Sequence, residues 1–451
     1  MVQRDSPQVQ RSLVLVCNDL ISKKVLLKGW VERTRTHGKV AFFDLRDRSG
    51  IIQVTAHEDL TSKIAELSLQ DVVELHGEVR SRDEKYANPE LETGKIEVHL
   101  EKLTVISKAA EMPFDMGGKE LNLELPTLLD WRTLSLRHSN VREIFKVQES
   151  IMEGFRLSSK QLECTEIFTP TISYSSTEGG AEVFKVDYFG HKTFLIQSPQ
   201  LYKQMMVPVF ERVFLVSHAY RAEPSVTTRH LSESTQMDCE FGFVEFEELL
   251  DLLEEVGAKT LKYASEKKAK ILKQFKVDPP KIPSKIPRLK MRDAQQLIFE
   301  KTGRDVRSEQ DLGPEDEKDI CEWALSEHGS DFVTITHYPT KKRAFYTHPD
   351  PSDPEFSLSF DLLFRGVEIL SGSKRVDNYE KLSEIIKERG MNPADFEMYL
   401  QAFKYGIPPH GGFSFGLERM TMKLLNLQNI REASLFPRDM ERVDQRFSQK
   451  K

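Results

Sequence analysis

The chain has 451 residues, a length that favours two or three domains. Apolar residues make up 39% and charged residues 30%, a balance typical of folded globular proteins and unlike that of disordered, collagenous or membrane proteins. The 64 Lys and Arg against 71 Asp and Glu leave a net charge of -7, which argues weakly against a surface coated with cations for DNA binding. No run approaches the ~18 to 20 apolar residues of a membrane helix, and the first residues lack a signal-peptide core, so we expect a cytoplasmic protein with no membrane partner.

The cysteines are scattered along the chain, with no Cys-x-x-Cys pair and no histidine at metal-ligand spacing. This usage argues against a disulfide framework and against a structural zinc site. The cysteines are Cys17, Cys164, Cys239 and Cys321.

Residues 24–106 contain short runs of strand-forming residues, separated by turn residues at roughly ten-residue spacing. This pattern predicts a small β-barrel of the OB-fold type. Cations lie beside aromatic residues here, as in barrels that bind single-stranded nucleic acid. A barrel with an aromatic core and a solvated, charged outer face would have the same pattern. The runs are Val25–Val31, Val40–Leu45, Ile51–Thr55, Val72–Val79 and Ile96–Ile106.

Beyond the barrel domain, residues 1–106, Pro and Gly interrupt the pattern and predict a hinge over 107–136. A second domain, 137–451, opens with an amphipathic helical pattern from Val141 to Phe155 and an apolar run that ends at Pro170. The pattern over Phe246–Phe275 predicts one long helix or two. We interpret the polar and then acidic segment of about 277–328 as a helical insertion in this domain. The predicted fold class is α+β.

Two polar clusters of the second domain carry groups that suit a small charged ligand. Ser176–Gly180 places Glu178 before two glycines, as in a mobile loop that closes over a ligand, although an ordinary turn has the same composition. Gln197–Gln204 places amides and Lys203 at the predicted start of a helix, where charge and donor groups together can bind a carboxylate. In isolation the same segment would be a surface helix.

Two further clusters supply arginines and carboxylates. The first is Tyr220–Glu240, with Arg221 near its start. In the second, Asp361 and Glu368 flank an apolar stretch, as paired oxygen ligands of Mg2+ would if a turn joined them. A glycine-rich strand-to-helix turn then ends in Arg419 and can approach a nucleotide closely. Together these groups suit a nucleoside triphosphate.

In this order and spacing the four clusters resemble the catalytic domain of the class II aminoacyl-tRNA synthetases, specifically the aspartyl-tRNA synthetases of the archaeal and eukaryotic kind. The resemblance implies a mostly antiparallel sheet flanked by helices, behind an N-terminal OB-fold that reads the anticodon. It also implies L-aspartate, ATP and tRNA(Asp) as substrates, Mg2+ as cofactor, and a homodimer whose interface unit ends at Pro170. The most specific stretches are Gln197–Gln204, Arg221–Glu240, Phe360–Arg375 and Pro408–Arg419.

By position, the resemblance implies that Arg221 holds the α-phosphate of ATP and that Glu223 meets the adenine amino group. Arg419 would pack against the adenine and meet the γ-phosphate, and His230 would lie near the phosphates. Arg221 and Arg419 would therefore be the catalytic residues. The implied Mg2+ ligands are Asp361, Glu368 and Ser371, of which Glu368 also contacts ATP.

For the amino acid, the resemblance implies that Glu178 and Asp238 meet the α-ammonium group and that Gln200 helps to place it. Lys203 and Arg375 would neutralise the side-chain carboxylate. Asparagine would leave these cations without a counter-charge, a loss of several kcal/mol. The related asparagine enzymes lack a lysine at this place, so Lys203 is the strongest single argument for aspartate.

In the barrel, Phe42 matches the residue that stacks on the central uracil of the anticodon. Arg35 and Gln53 occupy neighbouring base-reading positions. The choice between tRNA(Asp) alone and both tRNA(Asp) and tRNA(Asn) is expected near Glu32 and the Lys85–Pro89 loop. The sequence leaves a strict and a relaxed enzyme open.

Aspartate activation needs no protein nucleophile, because the substrate carboxylate attacks ATP in line and catalysis consists of positioning and charge stabilisation. This fits a site rich in Arg, Asp and Glu. Two other interpretations are a paralogous ligase that passes aspartyl-adenylate to an amine, and a non-catalytic tRNA-binding protein. The anticodon-reading residues argue against the first, and the ATP-binding residues argue against the second.

Two positions depart from the family pattern. Ser234 stands where an aromatic residue usually stacks on adenine, so either another residue covers that face or nucleotide affinity is lower. Lys374 adds a positive charge immediately before Arg375.

Overall fold

The structure is a computed structural model that describes residues 10–118, 120–174, 182–224 and 226–449. The chain divides into two compact units, Met1–Asn122 and Leu123–Lys451. The boundary falls inside the interval 107–136, and two short helices follow it at 125–130 and 132–135.

The first unit is a closed five-stranded barrel. Alternate residues of its first strand, including Val25, Leu27 and Val31, are buried, because successive side chains of a strand point to opposite faces. Phe43 and Leu75 fill the barrel interior with them. All five predicted strands are present, and the predicted OB-fold barrel is confirmed. In the order β1-β2-β3-β5-β4, the strands are β1 (Lys24–His37), β2 (Val40–Arg46), β3 (Ile51–His57), β4 (Val72–Ser81) and β5 (Ile96–Ser107), with α1 (Leu60–Ala65) after β3.

The second unit is built on an eight-stranded sheet. Its strands are β6 (Thr165–Glu166), β10 (Arg212–Tyr220), β11 (Glu233–Gly242), β12 (Arg288–Lys290), β13 (Phe332–Thr336), β16 (Ser359–Phe364), β17 (Val367–Lys374) and β18 (His410–Gly416). Two smaller sheets contain β7 (Ile172–Ser173), β8 (Lys185–Tyr188) and β9 (His191–Leu195), and β14 (Pro349–Asp350) and β15 (Asp353–Ser357). The large sheet has the order β12-β13-β16-β17-β18-β11-β10-β6, in which the pairs at the two ends are parallel and the inner pairs are antiparallel. The predicted α+β class is therefore confirmed.

Helices surround this sheet. They are α2 (Leu125–Asp130), α3 (Arg132–Ser135), α4 (Ser139–Gln161), α5 (Gln200–Met205), α6 (Val207–Phe210), α7 (Phe246–Lys267), α8 (Ala269–Gln274), α9 (Met291–Thr302), α10 (Pro314–His328), α11 (Tyr379–Glu388), α12 (Glu397–Lys404) and α13 (Leu417–Leu424). The predicted amphipathic helix is α4, the pattern over 246–275 forms the pair α7 and α8, and the insertion contains α9 and α10. Among the described residues, none of these helices has the length and apolar character needed to cross a membrane.

The main core lies between the sheet and the helices α4 and α7. Phe155 of α4 and Val256 of α7 are fully buried there with Cys239 of β11 and Phe413 of β18. Because strand side chains alternate, the neighbours of these sheet residues point to the opposite face. That face carries the polar groups described next.

Candidate active site

A cavity of about 400 Å³ opens in the second unit, lined by residues of β11, β17 and β18. It brings together residues from all the clusters that the sequence singled out and the structure describes. The predicted residues that line it are Gln200, Lys203, Arg221, Glu223, His230, Glu368, Ser371, Arg375 and Arg419. Glu178 is a predicted site residue that lies outside the described residues.

At one end of the cavity, Lys203 of α5 is fully buried between two carboxylates of β11. Its Nζ lies 2.8 Å from Asp238 Oδ1 and 3.3 Å from Glu240 Oε2. Asp238 and Glu240 are two residues apart, so the strand places both side chains on one face. A buried ammonium group needs such partners, because an unpaired buried charge is strongly destabilising.

Arg375 completes this buried cluster. Its Nε donates to Glu240 Oε1 at 2.8 Å and its Nη2 to Glu240 Oε2 at 3.1 Å, a bidentate geometry that favours guanidinium over ammonium. Further bonds run to Ser373 Oγ and to the carbonyl of Gly412, a position where a Cβ atom would clash with Glu240. Although burial opposes ionisation, Arg375 and Lys203 hold the pKa of Glu240 below its ordinary value. Two cations therefore face two carboxylates, and the cluster is electrically neutral.

Two polar atoms of this cluster have no hydrogen-bond partner among the described residues. They are Asp238 Oδ2, an acceptor, and Gln200 Nε2, a donor, and both are buried. Gln200 Oε1 accepts from Arg375 Nη2 at 3.2 Å, which fixes the orientation of the amide. Unsatisfied buried polar atoms are costly, so a ligand with one donor and one acceptor group would stabilise this end of the cavity.

Behind the cluster lies a chain of three buried polar side chains. Tyr399 OH donates to Gln204 Oε1 at 2.9 Å, and Gln204 Nε2 lies 2.9 Å from His410 Nε2. Burial lowers the pKa of His410 to about 4, so its ring is neutral and adds no charge beside Glu240.

The other end of the cavity is lined with cations. Arg221 is half-exposed and lies 3.9 Å from Glu223, whose second oxygen lies 3.9 Å from His230 Nε2. Burial lowers the pKa of His230. Glu223 opposes this shift, whereas the neighbouring arginines favour the neutral ring. Arg419 at the start of α13 donates to the Glu368 carbonyl at 3.1 Å and to Glu368 Oε2 at 3.3 Å.

The three implied metal ligands lie on the hairpin of β16 and β17. Asp361 and Ser371 are paired across it, and its turn uses Arg365 and Gly366 in left-handed conformations. All three ligands offer oxygen atoms, the type that Mg2+ prefers, and Asp361 Oδ1 is buried with no hydrogen-bond partner among the described residues. In the described part of the chain, no group of three or more His, Cys, Asp and Glu residues is arranged for a metal. The donor set fits Mg2+ when Ser371 is counted with the carboxylates.

Three residues with clear contacts in this region were missed from the sequence. Glu240 holds both buried cations, and its place two residues after Asp238 was the available signal. Arg343 donates to Asp361 Oδ2 at 2.7 Å and to Ser371 Oγ at 3.1 Å, and it follows two lysines that gave no specific pattern.

The third missed residue is Glu317 of α10, which comes from the predicted insertion. Its Oε2 lies 3.0 Å from Arg229 Nη1, and it accepts from the backbone N–H of Glu368. Burial raises the pKa of Glu317 to about 7. The insertion therefore contributes an ion-pair partner to Arg229, which lines the cavity.

The two departures from the family pattern have different surroundings. Ser234 lines the cavity, and its hydroxyl accepts from Gln236 Nε2 at 3.2 Å. Lys374 is paired with the exposed carboxylate of Glu245 and is not among the residues that line the cavity. The additional charge of Lys374 is therefore neutralised away from Arg375.

The implied anticodon residues share one outer face of the barrel. Arg35 and Phe42 are cross-strand neighbours on β1 and β2. Arg35 Nη2 donates to Asp44 at 3.1 Å and to Gln53 Oε1 at 3.3 Å, and Gln53 Nε2 donates to Glu97 at 2.9 Å. These hydrogen bonds link the polar groups of the face on which Phe42 lies.

Glu32 and the start of the Lys85–Pro89 loop are occupied by local contacts. Glu32 pairs with Arg46, whose guanidinium lies 4.8 Å from the Trp30 ring. Lys85 lies 3.3 Å from Asp83.

Comparison with known proteins identifies the class of the chain. Residues 124–440 match the class II tRNA synthetases (D, K and N), and residues 25–106 match the OB-fold nucleic acid binding domain. The chain belongs to the class II tRNA synthetases, as the sequence clusters predicted.

Individual relatives narrow the comparison. The chain is 39% identical to the aspartate--tRNA(Asp/Asn) ligase of Aeropyrum pernix, over 94% of this chain and 96% of the relative. It is 40% identical to the aspartate--tRNA(Asp) ligase of Pyrococcus horikoshii, over 95% and 98%. Among solved structures, asparaginyl-tRNA synthetase from Pyrococcus horikoshii complexed with asparaginyl-adenylate superposes with a TM-score of 0.89 at 32% identity, covering 96% of this chain and 99% of that chain. Aspartyl tRNA synthetase from Entamoeba histolytica gives 0.84 at 26% identity, over 97% and 93%.

Proposed function

We propose that the protein activates L-aspartate with ATP to aspartyl-adenylate and transfers the aspartyl group to the 3′ end of tRNA(Asp). The observation that carries this proposal is the buried cluster of Lys203, Arg375, Asp238 and Glu240 at one end of a cavity whose other end is lined with arginines. The relatives named aspartate--tRNA ligases support the choice of amino acid.

Charge balance explains why aspartate suits this cluster better than asparagine. The side chain and ammonium group of aspartate add one negative and one positive charge to a neutral cluster, so it stays neutral. In this binding mode Asp238 and Glu178 meet the ammonium group, and Lys203 and Arg375 meet the carboxylate. The unsatisfied donor of Gln200 supplies a further bond. Asparagine brings the ammonium charge without the second carboxylate, and a buried unpaired charge costs several kcal/mol.

At the other end, the residues position ATP for in-line attack by the α-carboxylate of aspartate. Arg221 binds the α-phosphate, Glu223 the adenine amino group, and Arg419 the adenine face and γ-phosphate, with His230 near the phosphates. Preorganised cations stabilise the charge that develops on the transferring phosphorus group.

Mg2+ is the proposed cofactor, held by Asp361, Glu368 and Ser371. When bound, it neutralises the charge of the triphosphate and of the leaving diphosphate. The oxygen donor set and the unsatisfied Asp361 Oδ1 support this assignment.

The barrel is proposed to read the anticodon, with Phe42 stacking on the central base and Arg35 and Gln53 contacting its neighbours. We also propose a homodimer whose interface includes the segment before Pro170, where Phe168 is 88% exposed. Sedimentation that gives only monomer at micromolar concentration would contradict the dimer.

A second candidate function is charging of both tRNA(Asp) and tRNA(Asn), because relatives of both kinds are named among those at about 40% identity. Charging of tRNA(Asp) and tRNA(Asn) transcripts with aspartate, measured side by side, distinguishes the two. A strict enzyme charges tRNA(Asp) alone, whereas equal rates identify a relaxed enzyme.

Amino-acid choice is tested separately by ATP–pyrophosphate exchange. We expect exchange with aspartate, little with asparagine, and loss of exchange in Lys203→Met. Lys374→Met is a matched control, because this lysine is paired with Glu245 and does not line the cavity. Exchange with asparagine as fast as with aspartate would refute the proposal.

A further inference from the structure

Each carboxylate of the proposed metal site is paired with an arginine of the same chain. Asp361 accepts from Arg343 Nη2 at 2.7 Å, and Glu368 accepts from Arg419 Nη1 at 3.3 Å. Arg343 also donates to Ser371, so one guanidinium group engages two of the three implied ligands. The two carboxylates and two arginines are neutral together without any metal ion.

Arg343 is placed between the cavity and Asp361. Arg343 lines the cavity, as does the neighbouring Lys342, whereas Asp361 is not among the described residues that line it. The guanidinium group of Arg343 lies 3.9 Å from the centre of the Tyr338 ring and forms a cation–π contact with it. A ligand that enters the cavity therefore meets Arg343 before it meets Asp361.

We infer that Arg343 couples metal binding to nucleotide binding, an inference that rests on the proposed function of the site. Without nucleotide, Arg343 is the counter-ion of Asp361 and weakens the binding of a divalent cation to that carboxylate. With ATP, the triphosphate offers Arg343 a new anionic partner, and Asp361 becomes available to the metal. The planar fork of arginine suits both partners, since it forms paired hydrogen bonds with carboxylates and with phosphates.

Charge balance gives the physical reason for the coupling. A divalent cation added alone would share a partly buried site with two guanidinium groups and leave two positive charges without partners. A polyanionic triphosphate added with the cation supplies those partners. The metal and the nucleotide therefore each strengthen the binding of the other, as linkage requires.

The test is titration with Mn2+, followed by electron paramagnetic resonance, with and without a non-hydrolysable ATP analogue. Because the analogue chelates Mn2+ by itself, every titration with the analogue is referred to one of the analogue without protein. In the wild-type protein we expect Mn2+ to bind more tightly to protein and analogue together than to either alone. In Arg343→Gln we expect opposite changes: binding at least about tenfold tighter without the analogue and at least about tenfold weaker with it, each equivalent to about 1.4 kcal/mol. A purely structural role would not give changes of opposite sign, so unchanged binding, or weakening in both conditions, overturns the inference.

Arg292→Gln is the matched control. Arg292 also lies against an aromatic ring, 4.0 Å from the centre of Phe356, and pairs with Asp353 and Glu355, but outside the cavity. We expect its Mn2+ titrations to match those of the wild type, and changes like those of Arg343→Gln would overturn the inference.

Asp361→Asn should abolish the tight Mn2+ binding both in the wild-type protein and in Arg343→Gln. Unchanged binding in the Asp361→Asn variant would also overturn the inference. If Arg343→Gln does not fold, as judged by circular dichroism, the wild-type titrations still decide. Mn2+ affinity for protein and analogue together that is no higher than for the analogue without protein refutes the coupling.

Aspartylation of tRNA in the same preparations separates this inference from the proposed function. A protein that charges tRNA but binds Mn2+ independently of nucleotide refutes the coupling alone. A protein that shows the coupling but does not form aspartyl-tRNA refutes the proposed function alone.

Discussion

Replacement of Lys203 by methionine tests both the stability and the specificity of the buried cluster. Methionine keeps much of the length of the side chain and removes only the ammonium group. Asp238 would then have neither oxygen hydrogen-bonded by the described residues, since Oδ1 bonds to Lys203 and Oδ2 is already unsatisfied. Glu240 would keep its two bonds from Arg375.

The magnitude follows from these contacts. Removal of one partner of a buried ion pair costs about 3–5 kcal/mol, and Asp238 carries most of that cost here because Arg375 still neutralises Glu240. We expect the free energy of unfolding to fall by about 3 kcal/mol. Aspartate-dependent ATP–pyrophosphate exchange should fall at least about 1000-fold in kcat/KM, because the substrate carboxylate loses a counter-charge worth about 4 kcal/mol.

A double variant distinguishes the two effects. Lys203→Met with Asp238→Asn removes both charges of the pair, so urea denaturation should recover most of the lost stability, while exchange stays low. Lys374→Met is the control, with a stability change within about 1 kcal/mol because its partner Glu245 is exposed to solvent. A single variant as stable as the wild type, or a double variant less stable than the single one, would refute the account of the cluster.

Three further predictions concern the barrel, a buried carboxyl and the polar chain. Phe42→Ala should raise the KM for tRNA by about 10- to 100-fold, which corresponds to the free energy of stacking one base on an aromatic ring, and should leave pyrophosphate exchange unchanged. Equal effects on both assays would contradict a role of Phe42 in anticodon binding. Burial raises the pKa of Glu418 to about 7, so the folded protein keeps this proton while the unfolded chain loses it, and stability should fall as pH rises from about 4.5 to about 7. Glu418→Gln should remove that slope and be more stable than the wild type at pH 8 by about 3 kcal/mol in urea denaturation. Tyr399→Phe should lower stability by about 1–3 kcal/mol in the same measurement, because Gln204 Oε1 loses its donor, and a neutral result would contradict that bond.

The fold was predictable where one local pattern dominates. Alternation of buried and exposed residues gave all five barrel strands, and helical spacing gave α4 and the pair of α7 and α8. The order of strands in the large sheet was not predictable in this way. Strands β11 and β18 lie side by side although Glu240 and Gly412 are far apart in sequence, and no local spacing encodes that pairing.

The site shows the same division. The resemblance identified residues by their position in each cluster. The residues that it assigned to ATP binding all line one cavity. Their ion-pair partners were not predictable, because a partner is chosen by distance in space. Arg375 and Glu240 are separated by 135 residues, and Arg343, the partner of Asp361, lies in none of the predicted clusters.

The pairing of cations with carboxylates explains why net charge was a weak guide to function. A cavity built for a polyanion needs buried or half-buried cations, and these are unstable in the free protein unless carboxylates neutralise them. Lys203 and Arg375 are neutralised by residues of β11, and Arg343 and Arg419 by residues of β16 and β17. Cations and carboxylates therefore accumulate together, and the chain remains acidic overall while its cavity presents positive groups. Ligand binding in such a site is an exchange of partners, so affinity depends on how well each ligand replaces the carboxylate it displaces.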